Sequence, residues 1–168
     1  MPKTVNSYRF IGRAITRMVK AWIELESPRE IPWTSLSKPL SDCTVALISS
    51  GGIALKTDPP FDQQRERQNP WWGDPSYRII PHTTRTEDIR VYHQHINPAF
   101  GERDINCLLP IDRLKELTAE DKVGRAAPSH YSFMGYILEP AELLEKSVPA
   151  IIEHLRAEQV DLALLAPA

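Results

Sequence analysis

The chain has 168 residues, 42% of them hydrophobic and 25% charged, with a formal net charge of −2. That is the composition of a single globular domain of ordinary size. It leaves no bulk basic footprint for nucleic acid, and no apolar run approaches the ~20 residues that span a bilayer. The N-terminus lacks the apolar stretch and small-residue site of a signal peptide, so a cytoplasmic location is the default expectation.

Residues from about Asn6 to Glu26 form the clearest helix. Ile11, Ile15, Met18, Trp22 and Leu25 recur at three- and four-residue steps, while Arg9, Arg13, Arg17 and Lys20 fall on the opposite face. A basic amphipathic helix suits an acidic partner or a membrane surface, or simply a docked helix with a solvated face. Pro28 to Pro39 reads as a linker. The domain reading is therefore an N-terminal helix and linker over 1–40 and an α/β body over 41–168.

In the body, Cys43 to Ile48 predicts a buried strand that runs into Ser49-Ser50-Gly51-Gly52. Free N–H groups after a strand suit an anion, and a plain tight turn explains the same residues. Phe61 to Pro75 is polar and broken by proline, a long loop packed by Trp71 and Trp72. Tyr77–Ile80 and Ile89–His95 read as strands, the second with Ile89, Val91, His93 and His95 on one face. Ile105–Leu109 is a further strand candidate, followed by a helix from Pro110 to about Thr118. Gly124 to Gly135 reads as irregular. A helical stretch from Pro140 to Gln159 is expected to kink or divide at Pro149. The last residues, VDLALLAPA, predict a strand apolar on both faces, the kind covered on both sides within a sheet. Strands alternating with helices give an α/β class, a largely parallel sheet with flanking helices in Rossmann- or flavodoxin-like layers, without a return helix after the final strand. Cys43 and Cys107, the only cysteines, stand far apart in apolar runs and read as buried structural thiols.

Several groups can carry chemistry. His93 and His95 form an H-x-H pair, able to supply two metal ligands or a base and its neighbour, or to serve as structural histidines. A metal would need a third ligand, for which Asp74, His82 and His130 are the candidates; no metal is assigned. Asp74 and Arg78 in GDPSYR offer a grip on a polar substrate, or a turn held by its own ion pair. His130, between a proline and a glycine, is a candidate proton-transfer group. No G-x-S-x-G elbow or Cys–His pairing appears, which disfavours a self-contained hydrolase.

Four segments read together, ALISSGGIALKTDPPFD, GDPSYRIIP, DINCLLPIDRLKEL and HYSFMGYI, resemble the selenoprotein B family of glycine, sarcosine and betaine reductases, with its D-proline reductase branch. The resemblance runs from about Cys43 to Ala168. It implies an oxidoreductase subunit that reductively cleaves a C–N bond with a dithiol donor. It further implies a selenocysteine or cysteine nucleophile just beyond a strand such as LLAPA. Because selenocysteine is encoded by UGA, ordinarily read as a stop, the expectation is that the chain is the N-terminal part of a longer selenoprotein and is inactive alone. The resemblance also implies a pyruvoyl-containing partner subunit, a thiol or selenol electron-donor protein and a small amino-acid-like substrate; no cofactor is expected within the chain itself. On that basis His93, His95 and His130 are candidate proton donors, and Arg78, Asp74, Gly51 and Gly52 candidate substrate contacts. A general thiol or selenol redox protein and a non-catalytic module binding through the basic helix remain alternatives.

Overall fold

The computed structural model describes residues 12–25, 30, 34–69 and 72–168. The chain divides into two units, Met1–Ser35 and Leu36–Ala168. In the first, helix α1 covers Arg13–Leu25, with Ile15, Met18 and Ile23 exposed. The expected residues Asn6 to Ile11, the side chains of Trp22 and Leu25, most of Pro28–Trp33 and Trp71 lie outside the described residues.

The second unit is built on β1 (Thr44–Ser49), whose alternating side chains meet two different layers. Val45 and Leu47 enter the main core with Ile53, Ile80, Ile89, Val91, Ile105, Leu109, Ile111 and Leu114. Burying a residue such as Leu47 contributes about 2 kcal/mol. The other strands are β2 (Ile53–Leu55), β3 (Tyr77–Pro81), β4 (Ile89–Val91), β5 (Arg125–Ala126), β6 (Ser129–Phe133) and β7 (Leu162–Ala166). The helices of the body are α2 (Gln63–Gln68), α3 (Pro98–Arg103), α4 (Ile111–Ala119) and α5 (Val148–Ala157). β5, β6 and β7 run parallel to β1, β3 pairs antiparallel with β6, and β2 and β4 form a separate antiparallel pair. This is the α/β class that the sequence predicts, with one antiparallel edge.

β5 and β6 are one line of chain beside β1, broken by a bulge. Thr44 and Val45 pair with Arg125 and Ala126, but Ile48 and Ser49 pair with Tyr131 and Ser132, so the register slips by two residues. Pro128 lies in the slip and has no N–H for a ladder. The bulge leaves Leu47 N–H without a carbonyl, and His130 Nδ1 accepts it at 3.1 Å.

Five expectations from the sequence differ from the structure here. Gly124–Gly135 is not irregular: it holds β5 and β6, disguised by the central proline and by polar Ser-His-Tyr-Ser. Ile105–Leu109 is no strand but begins as a 3-10 turn over Ile105–Cys107, set by Asp104, whose carboxylate accepts from Asn106 N–H. That turn leaves Cys107 exposed rather than buried, while Cys43 is buried. The strand expected over Ile89–His95 stops at Val91, and the loop expected over Phe61–Pro75 contains α2, capped by Asp62 accepting from Arg65 N–H.

Pro149 widens its helix rather than dividing it. A π turn spans Leu143–Ser147, and Val148 N–H reaches back five residues to Leu143 O. The wider turn takes up the place of the i−4 bond that proline cannot donate. β7 pairs with β1 over five residues, and its Leu164 and Leu165 are 50% and 68% exposed on alternate faces. Its expected burial on both sides is not met by the described residues.

Candidate functional site

Parallel pairing brings the carboxyl ends of β1, β6 and β7 together, the usual place for a ligand crevice in an α/β sheet. There the chain turns through Ser50-Gly51-Gly52. The three N–H groups expected to be free are all engaged: Ser50 donates to Ala166 O, Gly51 to Ser49 Oγ, and Gly52 to Phe133 O at 2.9 Å. The turn is thus a self-satisfied joint rather than an open anion nest. Gly52 is required in it, because φ is +61° and a Cβ would press on His93 N and Met134 Sδ.

His93 packs into this joint. It is 5% exposed, its Nδ1 accepts from His95 N–H at 3.1 Å, and its Nε2 is buried without a hydrogen-bond partner. An engaged Nδ1 lone pair fixes the neutral tautomer with the proton on Nε2. Burial, with His95 beside it, pushes the pKa down, so the ring is a neutral donor. Gly135 exists to admit it: a Cβ there would overlap Nε2 and lie 2.9 Å from Ser50 O. His95 is exposed and packs against Tyr136, with ring centroids 4.2 Å apart and planes tilted by 55°. The two imidazoles are 5.8 Å apart, and among the described residues no three His, Cys, Asp or Glu side chains gather around a metal position.

The family model for glycine/sarcosine/betaine reductase selenoprotein B matches residues 17–168. The chain belongs to this family. It is 34% identical over 133 residues to D-proline reductase subunit gamma of Acetoanaerobium sticklandii, covering 79% of this chain and 52% of that one. It is 30% identical over 135 residues to glycine reductase complex component B subunit gamma of Carboxydothermus hydrogenoformans, covering 80% and 30%. It is 26% identical over 118 residues to betaine reductase complex component B subunit beta of Peptoclostridium acidaminophilum, covering 69% and 26%. The chain spans about half or less of the length of these relatives. No solved structure matches it. Among the described residues, no helix of this selenoprotein B family member is long and apolar enough to cross a membrane.

Two other groups singled out in the sequence stand apart from the crevice joint. Asp74 accepts from Ser76 N–H and Oγ–H and from Asp62 N–H. Arg78 donates to Pro59 O, Pro60 O, Tyr77 O and Ser76 Oγ, and its guanidinium lies 4.1 Å over the Phe61 ring. Both hold the KTDPPFD and GDPSYR turns together, and a substrate carboxylate would have to displace those main-chain bonds. His130 is fully buried, with Nδ1 on Leu47 N–H and Nε2 3.1 Å from His82 Nδ1. Burial, then the neighbouring His82 and Lys115, pushes its pKa down to about 3. That geometry makes it a structural acceptor for β1.

Glu66 gave no signal in the sequence, since it sits in a run of charged residues. It is 5% exposed, and neither carboxylate oxygen has a hydrogen-bond partner. α2 is stitched to the segment after β4 around it, by Gln63 Nε2 to Tyr92 O, Gln94 Nε2 to Gln63 O and Arg67 Nε to Gln94 Oε1. Burial pushes the Glu66 carboxyl up, opposed by Gln94 and His95. A raised folded pKa gives stability below the unfolded carboxylate range that is lost as pH rises through the folded value. Glu66→Gln should therefore raise the unfolding free energy at pH 8, read as a higher urea midpoint, by on the order of 1 kcal/mol, and much less at pH 4. Equal midpoints at pH 8 would contradict a desolvated carboxyl.

Proposed function

We propose that this chain is the supporting part of a selenoprotein-B-type reductase subunit, and that the whole protein reductively cleaves the C–N bond of a small amino-acid-like substrate such as glycine, sarcosine, betaine or D-proline. The nucleophile is a selenocysteine or cysteine placed just beyond Ala168. The observation that carries this reading is the convergence of β1, β6 and β7 on a joint containing a buried, neutral His93 with an unpartnered Nε2–H. Family membership supplies the reaction class.

At neutral pH a selenolate attacks through its electron pair, by the logic of an activated thiolate. A selenium–carbon bond forms at the carbon bearing nitrogen, the C–N pair leaves with nitrogen, and a proton neutralises the departing amine. His93 Nε2–H is the group we assign to donate a hydrogen bond to the bound substrate and orient it, while the proton itself comes from solvent. A dithiol protein then supplies two electrons: it is oxidised to a disulfide as the selenium–carbon bond breaks, and the freed carbon leaves with a proton in place of selenium. A pyruvoyl carbonyl on a partner subunit would supply capture of the substrate amine. His130 has no part in the proton path, because both its nitrogens are engaged. The protein works as a cytoplasmic enzyme subunit with its partner and electron donor.

The gene tests the reading directly. We expect codon 169 to be UGA in a frame that continues with a proline and a cysteine, and a full-length product that incorporates selenium. A UAA or UAG codon, or no continuing frame, would overturn it. In the full-length protein, His93→Gln should slow C–N cleavage about 100-fold. Turnover of a generic disulfide with no turnover of amino acids would instead favour a general selenol redox protein.

A further inference from the structure

We infer that the Ser50 hydroxyl is the positioning group that fixes where the residue following Ala168 emerges; this rests on the reading that a nucleophile stands there. Ser50 follows the last residue of β1 and meets the extension of β7 three times. Its N–H donates to Ala166 O at 3.3 Å, Ala168 N–H donates to its Oγ at 2.9 Å, and its Oγ–H faces Ala168 O at 3.5 Å. Pro167 lies between the two held peptides, with φ fixed by its ring and no N–H of its own. The path of the segment leaving β7 is therefore set by Ser50 on either side of a rigid residue.

Among the described residues, no other side chain lining this strand end offers the same hold. The adjoining cleft of about 340 Å³ is lined by Ile48, Phe133, Leu165, Ala166 and Pro167, and Ser50 is its one polar side chain. None of those apolar side chains can accept Ala168 N–H. On its other side Ser50 presents its carbonyl to Gly135, at the point that His93 Nε2 also crowds. One residue thus ties the exit of β7 to the joint that holds the imidazole. A hydroxyl can both accept and donate there, which a methyl group cannot.

The test uses the full-length protein with cysteine at position 169 and compares wild type with Ser50→Ala and Ser50→Thr. In Ser50→Ala we expect hydrogen exchange at the Ala168 amide, read by NMR, to quicken about tenfold. Alkylation of the thiolate by iodoacetamide should change about tenfold in rate, with a shifted pH midpoint. Ser50→Thr, which keeps the hydroxyl, should restore both to within about twofold of wild type. The thermal midpoint should be alike in all three, which separates positioning from folding. Wild-type exchange and alkylation in Ser50→Ala would overturn the role of Ser50 and leave the reductase reading standing. Mass spectrometry of the native protein showing neither selenocysteine nor cysteine after Ala168 would overturn both.

Discussion

Acidification from pH 7 to pH 4 should remove about 3 kcal/mol of stability from the body through one imidazole, His130. Its folded pKa is pushed down to about 3 by burial first and by His82 and Lys115 after it. An unfolded histidine titrates near 6.5. The folded state therefore resists the proton that the unfolded chain binds. Stability is full above the unfolded value, falls as pH drops below about 6.5, and flattens below about 3. Lowered values at His82 and His93 add to the loss in the same direction. The geometry gives the reason: protonating Nδ1 would set two donors, itself and Leu47 N–H, against each other in the core.

Two variants separate charge from hydrogen bonding at this position. His130→Ala leaves Leu47 N–H unpaired beside a cavity and should cost about 3 kcal/mol at pH 7. His130→Asn keeps an acceptor without a titrating group. It should retain more of the stability at pH 7 and flatten the profile between pH 6.5 and 3. Chemical denaturation at four pH values in that range provides the measurement. A wild-type slope in His130→Asn would assign the acid sensitivity to other groups.

β1, β3, α4 and α5 were legible because their apolar spacing matches the faces they bury, and β7 because its apolar run is continuous, although Leu164 and Leu165 are exposed among the described residues. The central partner strand was not, because Pro128 breaks the pattern and the polar His130 and Ser132 accept their main-chain N–H groups, from Leu47 and Ile53, only in the folded sheet. Local composition cannot show that Leu47 N–H needs an imidazole eighty-three residues away. The same limit hid Glu66, whose burial depends on the docking of α2, and Ser50, which reads as a turn residue until β7 comes alongside. The family signal survived because it rests on whole segments. Asp74 and Arg78 show the converse: their residue types suggest a substrate grip, while their neighbours Pro59 and Pro60 supply the carbonyls that occupy the guanidinium.

Gly135→Ala should cost about 2 to 3 kcal/mol, a large effect for adding one methyl group. The usual gain from replacing glycine in a permitted conformation is about 0.4–1 kcal/mol. Here the added Cβ would overlap His93 Nε2, and it would stand 2.9 Å from His93 Cδ2 and from Ser50 O. The imidazole cannot swing away freely, because its Nδ1 holds His95 N–H and its backbone N lies 3.0 Å from where a Cβ on Gly52 would be. Overpacking of this kind typically costs 1–3 kcal/mol. Truncating the ring opens the space, so Gly135→Ala on a His93→Ala background should cost less than about 1 kcal/mol, the remainder coming from Ser50 O. The coupling between the two positions, read from urea unfolding of the four proteins, should thus exceed about 1 kcal/mol. Additive costs would mean that the ring is free to move. His93 would then lose the fixed orientation that makes its Nε2–H a directed donor at the strand ends.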